Sequence, residues 1–260
     1  MLRPETLKSF TKHSFANMNL VIDLGNTQAK IGVFSDRELI KKFVFDKNAT
    51  IEIKKVLTEF PEIKYTMVSS VINHGKEMIN ILQNKTLCID FDVNTRLFFK
   101  ITYNTPETLG KDRIAAVAGA IALYPKKPLL VIDAGTCIKY NFVTAVNEFV
   151  GGAISLGIDM RYKALSVFTD RLPHLPFEEE YAEIIGSSTK TSIMSGVQNG
   201  TLFEIEGFIK KFKEQHKDGV VVATGGNLSF LVDGLKSSIF AAPDLILSGL
   251  NEILLHYNKG

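Results

Sequence analysis

Within eight residues, Asp23-Leu24-Gly25-Asn26-Thr27-Gln28-Ala29-Lys30 brings together an acid, a glycine, two small polar side chains and a lysine. A phosphate binder needs backbone N–H groups that can come close to the ligand, and glycine removes the Cβ that would block them. Asn26 and Thr27 add side-chain donors, and Lys30 can set a point charge on a phosphate. Asp23, at the end of an apolar run, could hold Mg²⁺ through water. A plain hairpin with a Gly-Asn turn explains the same residues equally well when they are taken alone.

A second copy shifts that balance. Val-Ile-Asp-x-Gly occurs at 21–25 and again at 131–135, with the acids Asp23 and Asp133 110 residues apart. A repeat on that scale is a domain duplication, because solenoid periods are far shorter. The second copy runs Asp133-Ala134-Gly135-Thr136, and a third glycine turn, Thr224-Gly225-Gly226, follows the apolar run Val220-Val221-Val222. Glycines at that place let a nucleoside or phosphate lie against a helix N-terminus.

The elements that must position these turns are legible from periodicity. Strands are predicted at 20–23, 29–35 and 42–45, then a helix at 51–60, a strand at 65–71, a helix at 76–83 and a strand at 86–89. Ala-rich 110–123, with Ile114, Val117 and Ile121 on one face, predicts a buried helix. Strands follow at 129–133, 139–143 and 148–154, helices at 158–168 and 189–212, a strand at 220–223 and terminal helices. Tyr124-Pro125-Lys126-Lys127-Pro128 breaks the pattern and reads as the linker. The expected architecture is α/β, with halves over 18–125 and 126–260 and a cleft between them. Residues 1–17 are charged throughout and lack an apolar core, so they read as a disordered extension or a start-site choice before Met18, not as a signal peptide.

Three strand-to-glycine turns at such positions are similar to the actin/Hsp70/sugar-kinase superfamily, which implies a duplicated ribonuclease H-like (actin-like ATPase) fold. The block Tyr103-Asn104-Thr105-Pro106-Glu107-Thr108-Leu109-Gly110-Lys111-Asp112-Arg113 narrows this. Together with 23–30, 133–136, Gly151-Gly152 and 224–226, it closely resembles the type III pantothenate kinases. Their pattern is D-x-G-N-T-x-x-K, a variant of Y-x-x-P-x-x-x-G-x-D-R, D-x-G-T, G-G and T-G-G, and all five stand here in order.

The resemblance implies ATP-dependent phosphorylation of pantothenate, the first step of coenzyme A synthesis, with Mg²⁺ and a monovalent cation (K⁺ or NH₄⁺). It implies that Asp112 accepts the hydroxyl proton and that Tyr103, Gly110, Lys111, Asp112, Arg113 and Thr189 bind pantothenate. ATP falls to Asp23, Leu24, Gly25, Asn26, Thr27, Gln28, Ala29, Lys30 and Thr136, and the monovalent cation to Asp133. A homodimer is implied, because in the family the partner subunit completes the pantothenate site. The chemistry is consistent: a carboxylate in the first turn of a helix is favoured by the dipole and can orient a hydroxyl for in-line attack, and Arg113 offers a forked donor to a carboxylate or phosphate. Asp112 and Thr189 also suit plain helix capping.

Two departures from the family pattern stand out. Lys111 stands where alanine is usual, and Cys137-Ile138-Lys139 stands where further small or hydroxyl residues are common. The family also includes proteins described as transcription accessory factors, so a non-catalytic relative is the alternative; a sugar or acetate kinase of the superfamily is a third reading. Composition narrows the rest. Thirty Lys and Arg against 28 acids leave +2, too little field to recruit nucleic acid or an anionic membrane. Cys88 and Cys137 form no CxxC pair and the five histidines lack ligand spacing, so a reduced cytoplasmic protein without zinc is expected.

Overall fold

The computed structural model describes residues 18–25, 28–45, 50–70, 76–92 and 94–258. The expected extension over 1–17, and with it Asn26 and Thr27, lies outside the described residues. The continuous apolar runs become central strands: every residue of β1 (Met18–Leu24) and of β7 (Leu129–Ala134) is buried. A strand covered on both faces reads as an unbroken hydrophobic run, with no alternation.

Two sheets form around these strands. In the first, β2 (Ala29–Ser35) and β3 (Glu38–Phe45) follow β1 as antiparallel neighbours, while β4 (Ile63–Ser70) and β5 (Leu87–Asp90) add in parallel on its other side, giving the order β3-β2-β1-β4-β5. In the second, β8 (Cys137–Val143) and β9 (Glu148–Leu156) are antiparallel to β7. β10 (Val220–Thr224) and β11 (Phe240–Ala241) are parallel on the far side, and β6 (Lys100–Ile101) pairs with the outer edge of β9. Strand for strand, β7–β11 repeat the order and sense of β1–β5. The duplication read from two aspartates is a duplication of topology. The two-residue strands β6 and β11 are too short to show a period and were not anticipated.

Two helices lie between the sheets. α3 (Lys111–Leu123) is buried at every position from Arg113 to Ile121, and α7 (Leu245–Tyr257) presents Leu247, Leu250, Ile253 and Leu254 to the same core. α3 packs on β7 and β8, α7 packs on β1, β2 and β4, and the helices cross each other closely. The crossing depends on glycine: a Cβ on Gly249 would lie 1.8 Å from the Ala115 carbonyl oxygen, and one on Gly119 would lie 2.5 Å from that of Leu245. Buried Asn251 then ties α7 to the first sheet, accepting from Asn19 Nδ2 at 2.9 Å and donating to the Asp36 carbonyl at 2.7 Å.

Candidate active site

Each sheet delivers an acid at the end of its central strand. Asp23 is the penultimate residue of β1 and Asp133 that of β7, and both are buried. They face a cleft of about 570 Å³, which also receives Gly25, Gln28 and Lys30 from the first turn and strand and Gly135, Thr136 and Lys139 from the second. Gly225, Gly226 and Asn227, between β10 and α6 (Leu228–Gly234), form another wall. Gly225 takes φ of +108° and runs against the backbone of Ala134, a conformation and an approach that a side chain would forbid. A cleft of this size is ordinary for a nucleotide-sized ligand.

Asp112 joins them from the N-terminus of α3. Gly110 caps that helix and Asp112 occupies its first turn, so the helix dipole favours its charge there. Its Oδ1 accepts the Arg113 N–H at 2.8 Å. Its Oδ2 lies 2.6 Å from Lys139 Nζ, and the same ammonium lies 2.8 Å from Asp133 Oδ2. The register of β7 against β8 makes Lys139 the direct cross-strand partner of Asp133, so the pairing is set by the sheet. Burial pulls the Lys139 ammonium down, but Asp133 and Asp112 together outweigh it and hold the group above the ordinary lysine value. Asp23 goes the other way for a carboxylate: burial first, then the charge of Asp112, pushes it up to about 6, with Lys30 and Lys139 only partly opposing.

Beside the cleft stands a buried arginine. The Arg113 guanidinium lies 5.6 Å from the ring centroids of both Tyr103 and Phe149, and its Nε donates to Asn141 Oδ1 at 2.7 Å. Its Nη2 is buried and, among the described residues, has no hydrogen-bond partner. A guanidinium donor left unpaired in the interior is costly.

Of the fourteen expected residues that are described, seven converge on the cleft. Asp23, Gly25, Gln28, Lys30, Asp112, Asp133 and Thr136 line one cleft. Leu24 and Ala29 are buried strand residues with side chains in the first half's core, so only their backbone is available to a ligand. Tyr103 is brought to Arg113, and Gly110 serves as the helix cap. Lys111 turns toward Asp90 at 3.7 Å, so its charge does not line the cleft. Thr189 opens α5 (Thr189–Gln215) as an exposed residue outside the cleft lining, while the capping role belongs to Ser188, whose hydroxyl accepts the Thr191 N–H. Two charged cleft residues were missed as contributors, Lys139 and Asp159. Asp159 had a signal: Gly157-Ile158-Asp159 opens α4 (Ile158–Val167) as Gly110-Lys111-Asp112 opens α3.

Comparison with known proteins identifies the family and the fold. Residues 19–211 match the family model described as type III pantothenate kinase. A type III pantothenate kinase of Christiangramia forsetii is 43% identical over 93% of this chain and 99% of its own length. Among solved structures, a protein of Campylobacter jejuni described as a Baf family transcriptional activator aligns over 93% of this chain and 100% of its own, at 23% identity and a TM-score of 0.61. A ROK family glucokinase of Streptomyces griseus aligns over 94% and 100%, at 10% identity and a TM-score of 0.50. These two show the shared fold, that of the actin-like ATPases and sugar kinases.

Proposed function

The chain belongs to the type III pantothenate kinase family, and from that premise we propose how its cleft transfers the γ-phosphate of ATP to pantothenate. The reaction is ATP + pantothenate → 4′-phosphopantothenate + ADP, at the entry to coenzyme A synthesis. The observation that carries the reading is the convergence of Asp23, Asp112 and Asp133 from three separate elements on one cleft walled by glycine turns.

ATP lies along the turns at Gly25, Gly135 and Gly225, whose backbones can approach phosphates and nucleoside, with Lys30 and the Thr136 hydroxyl on the phosphates. The donor set fits Mg²⁺. Among the described residues no group of three or more His, Cys, Asp or Glu could hold a metal alone, yet Mg²⁺ is commonly held by one or two carboxylates with phosphates and water. Asp23, buried and short of counter-charge, is the residue that would hold it. Mg²⁺ supplies neutralisation of phosphate charge.

Asp112 accepts the proton of the pantothenate hydroxyl as its oxygen attacks phosphorus in line with the departing ADP. Arg113, with its free Nη2 donor, binds the pantothenate carboxylate beside Tyr103. Thr189 is exposed outside its own cleft, so it reaches a pantothenate site through a second copy, in a homodimer. The exposed apolar side chains Val167, Phe168, Ile184, Ile185 and Phe203 suit such burial. No helix among the described residues is long and apolar enough to cross a membrane, and we place the enzyme in the cytoplasm with its small-molecule substrates. The non-catalytic alternative is not favoured, because Asp23, Asp112 and Asp133 are all retained and line one cleft.

Coupled ADP release with ATP and Mg²⁺ tests the reading. Release that depends on pantothenate supports it; release without pantothenate, or none from folded protein, removes it.

A further inference from the structure

The resemblance to the family calls for a monovalent cation at Asp133, and the residues of this chain do not fit one. The carboxylate that would hold it is already engaged. Lys139 Nζ stands 2.8 Å from Asp133 Oδ2 and 2.6 Å from Asp112 Oδ2, bridging the two halves' contributions to the cleft. The lysine is no wandering surface side chain. It is fixed opposite Asp133 by the β7–β8 register, and only a fifth of it is exposed. An ammonium has three donors; two are spent on these carboxylates and one remains for a group in the cleft. A free cation placed at Asp133 would sit against this ammonium, in a site screened less than bulk water, and like charges at that range repel strongly.

The chemistry of the group is also right. A lysine head and an ammonium ion present the same N–H donors and the same charge to carboxylate and phosphate oxygens. The cleft carries Asp23, Asp112, Asp133 and Asp159 against Lys30 and Lys139. Without Lys139 the junction of Asp112 and Asp133 would hold two carboxylates and no cation, which is the situation that recruits one from solution.

We infer that the Lys139 ammonium is a tethered replacement for the monovalent cation, so that this kinase needs neither K⁺ nor NH₄⁺. Lys139 is then a positioning residue that holds Asp112 to Asp133 and offsets charge where phosphate must enter. The inference rests on the kinase reading for its catalytic consequence, but not for its ion-binding one.

Two measurements separate these. The first is the initial rate at equal ionic strength in tetramethylammonium, Na⁺, K⁺ and NH₄⁺ chloride. Wild type should turn over equally in all four. Lys139→Thr, which empties the position, should fall about 10–100-fold in tetramethylammonium, the usual scale for losing a supporting group, and recover in K⁺ or NH₄⁺. A wild type that runs only in K⁺ or NH₄⁺ overturns the inference, as does a variant equally active in every salt. The second measurement is the melting temperature without substrates in the same salts. Lys139→Thr should gain stability from K⁺ or NH₄⁺ over tetramethylammonium, and wild type should not. K⁺-specific stabilisation of wild type overturns the inference without any variant. Wild type inert in every salt removes the kinase reading, while the melting series still decides whether Lys139 fills the cation position.

Discussion

Asp23 faces Lys30 across β1 and β2, and Asp133 faces Lys139 across β7 and β8. The same acid–lysine pair is thus built twice, at matching places in the two halves. In the second half the lysine closes on its acid at 2.8 Å and reaches on to Asp112. In the first, Lys30 acts on Asp23 only as one of several charges, and burial with Asp112 and Asp133 leaves that carboxylate raised to about 6. The turns differ as well: seven positions separate Asp23 from Lys30, and six separate Asp133 from Lys139. Duplication has therefore produced one half whose acid is short of a cation and one whose acid is satisfied. The open half is the one suited to metal and phosphate, and the closed half holds Asp112 in position.

The largest effect should come from the carboxylate that both halves serve. Asp112→Asn should lower kcat by about 10²–10⁴, the usual scale for a general base, with ATP binding retained; unchanged turnover in coupled ADP release would dismiss Asp112 as the proton acceptor. Next in size is the joint that lets the halves face each other. Gly249→Ala drives a methyl into the Ala115 carbonyl, and overpacking of this kind costs about 1–3 kcal/mol or more. Chemical denaturation should show that loss, and a variant as stable as wild type would mean that α3 and α7 can move apart freely.

The sharpest comparison applies one substitution to both halves. Asp23 is protonated more readily in the folded chain than in the unfolded one, about 6 against 3.8. Its contribution to stability is therefore fully present below the unfolded value and is lost as pH rises toward 6. Asp23→Asn should raise the stability of the ligand-free protein at pH 7, by up to about 3 kcal/mol, flatten its stability between pH 4 and 6, and weaken binding of Mg²⁺ with ATP. Asp133→Asn should do the reverse to stability, costing about 2 kcal/mol as the Lys139 ammonium loses a charged partner. Denaturation curves at pH 5 and pH 7 check both, and equal signs in the two variants would erase the distinction between the halves.

Much of this was legible before the structure. The runs Leu20–Asp23 and Leu129–Asp133 are apolar enough to be central strands only, and the glycines after them mark where the backbone must turn. The spacing Gly110-x-Asp112 placed an acid in the first turn of a helix. Lys139 was visible only as a departure. A fixed offset of 110 residues carries Lys30 onto Tyr140, and the one-residue difference between the two turns is a property of register, which sequence periodicity does not report. Thr189 shows the converse case. The family resemblance implied a substrate contact and the residue type suggested a helix cap, but the cap fell to Ser188 because its hydroxyl meets the Thr191 N–H. In the proposed homodimer, the cleft that an exposed threonine serves is set by packing between copies, which local sequence does not report.

Asn141 supplies the smallest and most selective test. It lies two positions beyond Lys139 on β8, so the two side chains leave the same face of the strand, yet they serve different groups. Lys139 holds Asp112, whereas Asn141 Oδ1 accepts from Arg113 Nε at 2.7 Å and its amide donates to the Val131 carbonyl at 3.4 Å. If Arg113 binds the pantothenate carboxylate, it must be held in a fixed plane, and Asn141 is what fixes it. Asn141→Ala should raise the KM for pantothenate about tenfold, the scale of one hydrogen bond to a charged group, with the KM for ATP unchanged. Gln at the same position, which keeps the acceptor but moves it, should recover only part of the loss. A rise in the KM for ATP instead would place Arg113 on the phosphates, and the functional border between the two substrates would then run through α3, not beside it.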